Sequence, residues 1–461
     1  PGKAAPLALA LESSQSTIAG PPSSGTFGAA VAVLPNGNIV VADPSYDGVV
    51  TDGGAVHLYN GSTLAPISSL TGGTVGDQVG SGGITGLSNG NFVVRSPNWD
   101  GPGAVNAGAV TFGNASTGFG AGSVPVGAGN SLVGTTASDV VGSGGVTALT
   151  NGNYVVSSQN WGATDLGAAT FGNGTTGTSG AVGVGNSIIG SNTDDLVSGG
   201  GITALTNGNY VVNSPNWGAT DVGAATWGNG TTGTAVTVAA GNSLVGSTAN
   251  DFVASGSVTA LSNGNYVVSS PMWDNGVADV GAATWGNGAT GTSGAIAGAN
   301  SIVGSVTGDM VGSAGVTALL TNGNYLVRSP AWNNGGATDA GAATWANGAG
   351  PTSASVAAAN SLVGSTTNDN VSGAGVTALT NGNYVVRSPA WNNGGTVDAG
   401  AATFGSGTSG VSGAVSAANS LVGTTASDLV SLGSLAALSN GNYVVGSPNW
   451  AANDIGAVTW G

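Results

Sequence analysis

Side chains able to do acid–base chemistry are scarce in this sequence. It carries one histidine (His57), one glutamate (Glu12) and no cysteine. Without cysteine there are no disulfides, thiolate metal sites or thiol nucleophiles. A single His leaves general acid–base catalysis one candidate. The carboxylates fall into two regular series. The first is Asp77, Asp139, Asp195, Asp251, Asp309, Asp369 and Asp428. The second is Asp52, Asp165, Asp221, Asp279, Asp339, Asp398 and Asp454, with Asn106 filling the remaining place. An aromatic series accompanies them: Tyr46, then Trp99, Trp161, Trp217, Trp273, Trp332, Trp391 and Trp450.

Two chemistries suit this set. A flat aromatic ring covers the apolar face of a sugar while a carboxylate accepts its hydroxyl hydrogens. That makes Tyr46, the seven Trp of the series and the first Asp series candidate ligand-binding residues. The structural alternative uses Asp as a turn residue that accepts backbone N–H groups. Trp then wedges between neighbouring repeats, with its indole N–H satisfied locally. A glycosidase needs two carboxylates at a defined separation, one with a raised pKa, and nothing sets one repeat apart from the others. No catalytic residue, metal site or cofactor site is expected, and the chain reads as non-enzymatic.

These residues recur because the chain does. The signature Asn-Gly-Asn begins at Asn36, Asn89, Asn151, Asn207, Asn263, Asn322, Asn381 and Asn440, at intervals of 53 to 62 residues. Repetition at this period marks a modular architecture, here one domain over residues 1–461. In the third repeat an apolar run, Val146 to Leu149, meets Asn-Gly and then Tyr154-Val-Val-Ser-Ser158, the strongest short hairpin signal. A type I′ turn with positive φ at both central residues is expected. A third strand follows at Gly167–Phe171 and a fourth at Asn186–Gly190, with the glycine-rich stretch between them read as turns. Helical spacing of apolar residues is absent, and 87 glycines would be costly inside helices.

Four antiparallel strands repeated eight times predict an all-β fold, an eight-bladed β-propeller. Ser16–Gly20 reads as a fourth strand and Gly456–Trp460 as a third, so the N-terminal strand is expected to complete the last blade and close the ring. An open β-solenoid is the rival. In an up-and-down blade both Asp series and the aromatic series would share one face.

The first repeat carries Phe27-Gly-Ala-Ala-Val-Ala-Val33, Asn36-Gly-Asn-Ile-Val-Val-Ala-Asp-Pro44 and Gly54-Ala-Val-His-Leu-Tyr59. It resembles the FG-GAP repeat of integrin α-subunit propellers and of bacterial surface proteins and lectins. The later repeats keep the layout but drop Phe-Gly and carry Ser-Pro before the Trp, as at Ser214-Pro215, or Ser158-Gln159 in the third. In that form they resemble tandem repeats of large bacterial surface proteins. FG-GAP blades often hold calcium in an aspartate-rich loop between the first two strands. Thr150–Asn153 and its counterparts have no carboxylate there, and calcium needs six to eight oxygen ligands, so the resemblance does not extend to a calcium site.

Charge narrows the partners. Four Lys plus Arg against 20 Asp plus Glu give a net charge of −16, with 40% of residues hydrophobic. Nucleic acid and anionic lipid both demand basic surface. No apolar run approaches the length of a membrane-spanning helix, and Pro1–Ala10 is too weakly apolar for a signal peptide. Arg95, Arg328 and Arg387 share one slot of the second strand and read as inter-repeat or surface charges. The expectation is an extracellular structural or adhesive module of a bacterial surface. Its partners would be other surface or matrix proteins, glycans or copies of itself, and a multivalent lectin is the alternative.

Overall fold

The structure, a computed structural model, describes residues 16–451 and 453–461. Glu12 and the segment read against a signal peptide lie outside the described residues. Among those described, every regular element is a β-strand.

The third repeat shows the plan. Its first strand is Gly145–Ala148, its second Tyr154–Ser158, its third Ala168–Gly172 and its fourth Ser187–Ile189. They pair antiparallel in sequence order, with Val146 opposite Val156, Val156 opposite Thr170 and Thr170 opposite Ser187. Between the third and fourth strands the two residues Gly180–Ala181 leave the sheet altogether. They pair in parallel with Ser131–Val133, the fourth strand of the second repeat. This arm lies inside the stretch read from sequence as turns only. It makes the sheets of repeats 1 to 6 five-stranded, whereas repeat 7 has four strands and repeat 8 three.

The hairpin turn differs from the type I′ expectation. In Leu149-Thr-Asn-Gly-Asn153 the Gly152 N–H donates to the Leu149 carbonyl, and the Leu149 N–H donates to the Asn153 carbonyl. Positive φ occurs at Gly152 (91°) but not at Asn151. This is a type I turn followed by a left-handed glycine. A three-residue loop spares Asn a strained conformation and frees its side chain for other work.

Alternate residues of a strand face opposite sides of the sheet, and here both sides are covered. Tyr154 and Val156 pack against Val93, Val110 and Leu132 of the second repeat. Val155, Ala169 and Ile188 pack against Tyr210 and Val212 of the fourth. A strand buried on both faces needs a continuous apolar run rather than alternation, hence Tyr-Val-Val. A buried Tyr also needs room. A Cβ on Gly172 would lie 2.1 Å from the Tyr154 ring, so the residue opposite it in the third strand is glycine. Each fully buried large side chain of this kind contributes about 1.5–3 kcal/mol.

Seven buried clusters join the eight repeats, one between each consecutive pair. Among the described residues none joins repeat 8 to repeat 1, and no closed ring forms. Ser16–Gly20 lies in no strand, and the last sheet, Leu435–Ala437, Tyr443–Ser447 and Ala457–Trp460, has no fourth strand. The expected closure is therefore not seen among the described residues, and the stretch after Ser16–Gly20 pairs with its own repeat. There Thr26 N–H donates to Asp43 at 2.7 Å and Gly28 N–H to the Ala42 carbonyl. The two ends differ. Phe27, Tyr46, His57 and Tyr59 form an aromatic group on the outer face of the first repeat, with ring centroids about 6 Å apart. The outer face of the last repeat leaves Val458 78% and Trp460 66% exposed.

Candidate functional site

The first Asp series lies at the joints. Asp195 is buried, and its Oδ2 accepts the backbone N–H groups of Ser191 and Asn192 at 2.6 and 2.7 Å. Its Oδ1 accepts the N–H of Gly218 at 2.8 Å, from the residue that follows Trp217 in the next repeat. The pattern recurs throughout. Asp77 reaches Asp100 N–H, Asp139 reaches Gly162, Asp251 reaches Asp274, Asp309 reaches Asn333, Asp369 reaches Asn392 and Asp428 reaches Ala451. Each carboxylate thus spends its acceptors on backbone. Burial alone would push Asp428 up, but hydrogen bonds from Thr425, Thr424 and Ala451 outweigh it and hold its carboxyl below the ordinary range.

The second series acts through its backbone. Asp52, Asp165, Asp221, Asp279, Asp339, Asp398 and Asp454, with Asn106, all adopt left-handed φ of 49–53°, a conformation that Asp and Asn tolerate better than most residues. The Asp165 carbonyl accepts the N–H of Leu196, next to Asp195, and the other internal members hold the equivalent loop. The two Asp series and the Trp loops therefore do gather along one edge, as a hydrogen-bonded ladder.

Within it the Trp side chains are joints. Trp99, Trp273, Trp332 and Trp391 are 2–6% exposed and belong to the clusters between repeats. Trp161 and Trp217 pack half-buried at theirs, and Trp450, in the last repeat, is 40% exposed. Local satisfaction of the indole fails at four places: the Nε1 atoms of Trp217, Trp273, Trp332 and Trp391 are buried without a partner. Tyr46, at the equivalent place in repeat 1, meets His57 edge-on at 5.7 Å.

Sequence reasoning treated the Asn-Gly-Asn side chains only as turn residues. The structure gives them a second role. Asn151 and Asn153 both donate through Nδ2 to the carbonyl of Gly230 in the next repeat, at 2.7 and 2.8 Å. The Gly230 N–H in turn donates to Asn209 Oδ1 of its own turn. Six such links run along the stack, at Ala115, Gly174, Gly230, Gly288, Gly348 and Gly407. Trp227, Trp285 and Trp345 of the third strands add their indole N–H to three of these carbonyls. The signal was present in the spacing, since an Asn two residues after another is more than a turn requires.

The remaining candidates join the same scheme. Arg95 donates to the Gly142 carbonyl, Arg328 to Ser372 and Arg387 to Ser431, each across a joint. His57 is 5% exposed, and its Nδ1 lies 2.7 Å from Ser69 Oγ. Thr170 and Ser187 hold the same places in repeat 3, their hydroxyls 2.8 Å apart. Burial pushes His57 below its ordinary value, with the charge of Asp43 opposing. Among the described residues no three His, Asp or Glu side chains come together as a metal site.

Open clefts recur between consecutive arms. One of about 280 Å³ is lined by Trp227, Asn242, Thr290 and Ser293, and one of about 310 Å³ by Phe171, Asn186, Thr232 and Thr234. A third, about 260 Å³, lies beside Phe112, Asn130 and Thr178. All three are uncharged and pair one third-strand aromatic with amide and hydroxyl groups. The aromatic–carboxylate ring read from sequence is therefore not the exposed aromatic surface here.

The repeats can now be placed. A family model described as a repeat of unknown function (DUF5650) matches residues 33–81, 86–143, 148–199, 204–255, 260–313, 319–373, 378–432 and 437–461. The chain belongs to this family. Each match spans one hairpin turn, so the eight units of the family are the eight sheets, and the FG-GAP resemblance of the first repeat is not supported. Among curated proteins nothing matches the chain.

Proposed function

We propose that the chain is a non-enzymatic, extracellular structural or adhesive module, built as an open stack of eight sheets rather than a closed eight-bladed propeller. One observation carries the reading. The recurring side chains of the first Asp series, the Trp series, the paired Asn and the Arg slot go into holding one sheet to the next. A repeat protein whose repeated chemistry goes into its own joints is a spacer or scaffold, and its stability is a sum of nearest-neighbour terms. Its one histidine is sealed among aromatics where substrate has no path. The negative charge and the abundance of Gly, Ser, Thr and Asn favour an exposed surface over nucleic acid or anionic membrane as surroundings.

A multivalent lectin is the second reading, and the recurring clefts at Phe112, Phe171 and Trp227 favour it over the buried Trp ring. Weak sites repeated along a stack gain avidity on a polymer that spans several of them. A glycan array probed with the 461-residue chain separates the two readings. The structural reading expects no saturable binding, whereas saturable binding to a neutral glycan would overturn it in favour of the lectin.

A further inference from the structure

An Asn-Gly pair carries a latent reaction. Glycine has no Cβ, so its backbone nitrogen can close on the side-chain amide carbon of the Asn before it. The chain has sixteen such pairs, and the fold ties up nearly all of them. In the eight hairpin turns the Gly N–H is occupied. It donates to a Leu carbonyl, as Gly152 does to Leu149, or at Gly323 to Ser262 Oγ. In the five pairs that follow a third strand it is occupied again, donating to an Asn of the hairpin turn, as Gly230 does to Asn209.

Three pairs remain, each beginning two residues after a joint Trp: Asn275-Gly276, Asn334-Gly335 and Asn393-Gly394. At the last two the Asn amide is tethered. Asn334 Nδ2 donates to the Gly364 carbonyl at 2.8 Å and Asn393 Nδ2 to the Gly423 carbonyl at 3.0 Å. Their backbones are tied as well, by paired bonds to Ala337 and Thr396. Asn275 differs. The connection from Trp273 to Gly281 is one residue shorter than those from Trp332 to Gly341 and from Trp391 to Gly400, and the Asn275 amide does not reach the Gly304 carbonyl, the counterpart of Gly364. Asn275 keeps only a backbone bond, its N–H to the Val277 carbonyl at 3.2 Å. Among the described residues no hydrogen bond holds its side chain or the Gly276 N–H. Both residues are exposed, and Gly276 has φ of 69°.

We infer that Asn275 is a self-modification site, converting to aspartate and isoaspartate while the fold protects the other Asn-Gly pairs. The Gly276 nitrogen gives up its proton and bonds to Asn275 Cγ. The bond from Cγ to the side-chain nitrogen breaks, and that nitrogen leaves with the proton as ammonia. The resulting succinimide adds water at one of its two carbonyls. Opening at one leaves aspartate in the normal main chain, and opening at the other routes the main chain through the side-chain carbon as isoaspartate. Water is the only co-reactant. The product places a new carboxylate between Asp274 and Asp279, in the loop whose Asp274 N–H is accepted by Asp251 at 3.0 Å. The change therefore falls on the joint between repeats 4 and 5.

The test ages the 461-residue chain in mildly alkaline buffer, folded and in urea, and follows its chymotryptic peptides by mass spectrometry. In the folded chain the peptide of residues 274–285 should gain the acid form first, ahead of 333–345 and 392–404. An isoaspartyl methyltransferase should label it. In urea the three should convert at similar rates. Replacing residues 274–279 by the sequence of 333–339 should slow conversion in repeat 5 to the rate of repeat 6. Equal rates for the three peptides in the folded chain would overturn the inference, as would a folded Asn275 that stays intact while the unfolded one converts. An acid form made of aspartate alone would rule out the succinimide. The reaction depends on no partner or ligand, so the proposed function stands or falls separately.

Discussion

Asp195 Oδ1 lies 2.8 Å from the backbone nitrogen of Gly218, across the joint between the third and fourth repeats. The same carboxylate closes its own loop through Ser191 and Asn192. One side chain thus fixes both the shape of a connecting loop and its attachment to the next Trp.

Asp195→Ala strands three backbone donors at a buried site. An unsatisfied buried donor costs about 1–3 kcal/mol, and with partial rescue by water the variant should lose about 3 kcal/mol in urea unfolding. Asp221→Ala removes a side chain that is half exposed and should cost much less. Equal losses would refute the distinction between the two series.

Trp273 and Trp450 hold equivalent places with opposite surroundings, 2% and 40% exposed. Trp273→Ala should cost about 3–5 kcal/mol, as large-to-small core changes do, and Trp450→Ala under about 1 kcal/mol. Chemical denaturation of both variants checks this. A stable Trp273→Ala protein with selectively weakened glycan binding would instead make the Trp series a sugar platform.

Gly208 has φ of +89°, and a Cβ there would also lie 3.1 Å from the Asn151 amide. Gly208→Val should destabilise by about 1–3 kcal/mol through backbone strain, while Gly208→Asn, which tolerates the left-handed region, should lose less. If Val and Asn prove equally costly by thermal melting, strain is not the cause.

Burial pushes the phenols of Tyr154, Tyr266, Tyr325 and Tyr384 up to about 12, and raises Tyr210 as well. A raised folded value means stability complete below the unfolded value of about 10 and lost as pH climbs toward 12. Absorbance at 295 nm should show these residues ionising together with loss of near-UV dichroism. Smooth ionisation near pH 10 with the fold intact would contradict their burial.

His57 works in the opposite direction. Its folded value is lowered by burial, so its contribution is complete above the unfolded value of 6.5 and lost as pH falls through the folded one. His57→Thr, which restores the pairing used with serine in later repeats, should flatten the melting-temperature profile below pH 6.5. An unchanged slope would place the acid sensitivity elsewhere.

The sequence by itself determined the period, the eight hairpins, the strands about Tyr154 and Ala168, and the recurrence of Asp and Trp along one edge. All of these follow from local rules: alternation, β-branched runs, and glycine where the backbone must turn left-handed. It also contained the arm, but Gly180-Ala181 has no strand partner within its own repeat, and no local rule marks a two-residue strand that pairs with the repeat before it. The Asn ladder was hidden for the same reason, since Gly230 is 79 residues from Asn151. Ring or stack is likewise a matter of tertiary structure, and among the described residues no buried cluster joins the eighth repeat to the first. Closure rests on whether the first repeat meets the last, a contact between residues about 400 positions apart that no local rule can specify. Phe27 turns onto its own sheet because burying an aromatic nearby costs little loop entropy, whereas reaching the eighth repeat would order the whole chain first.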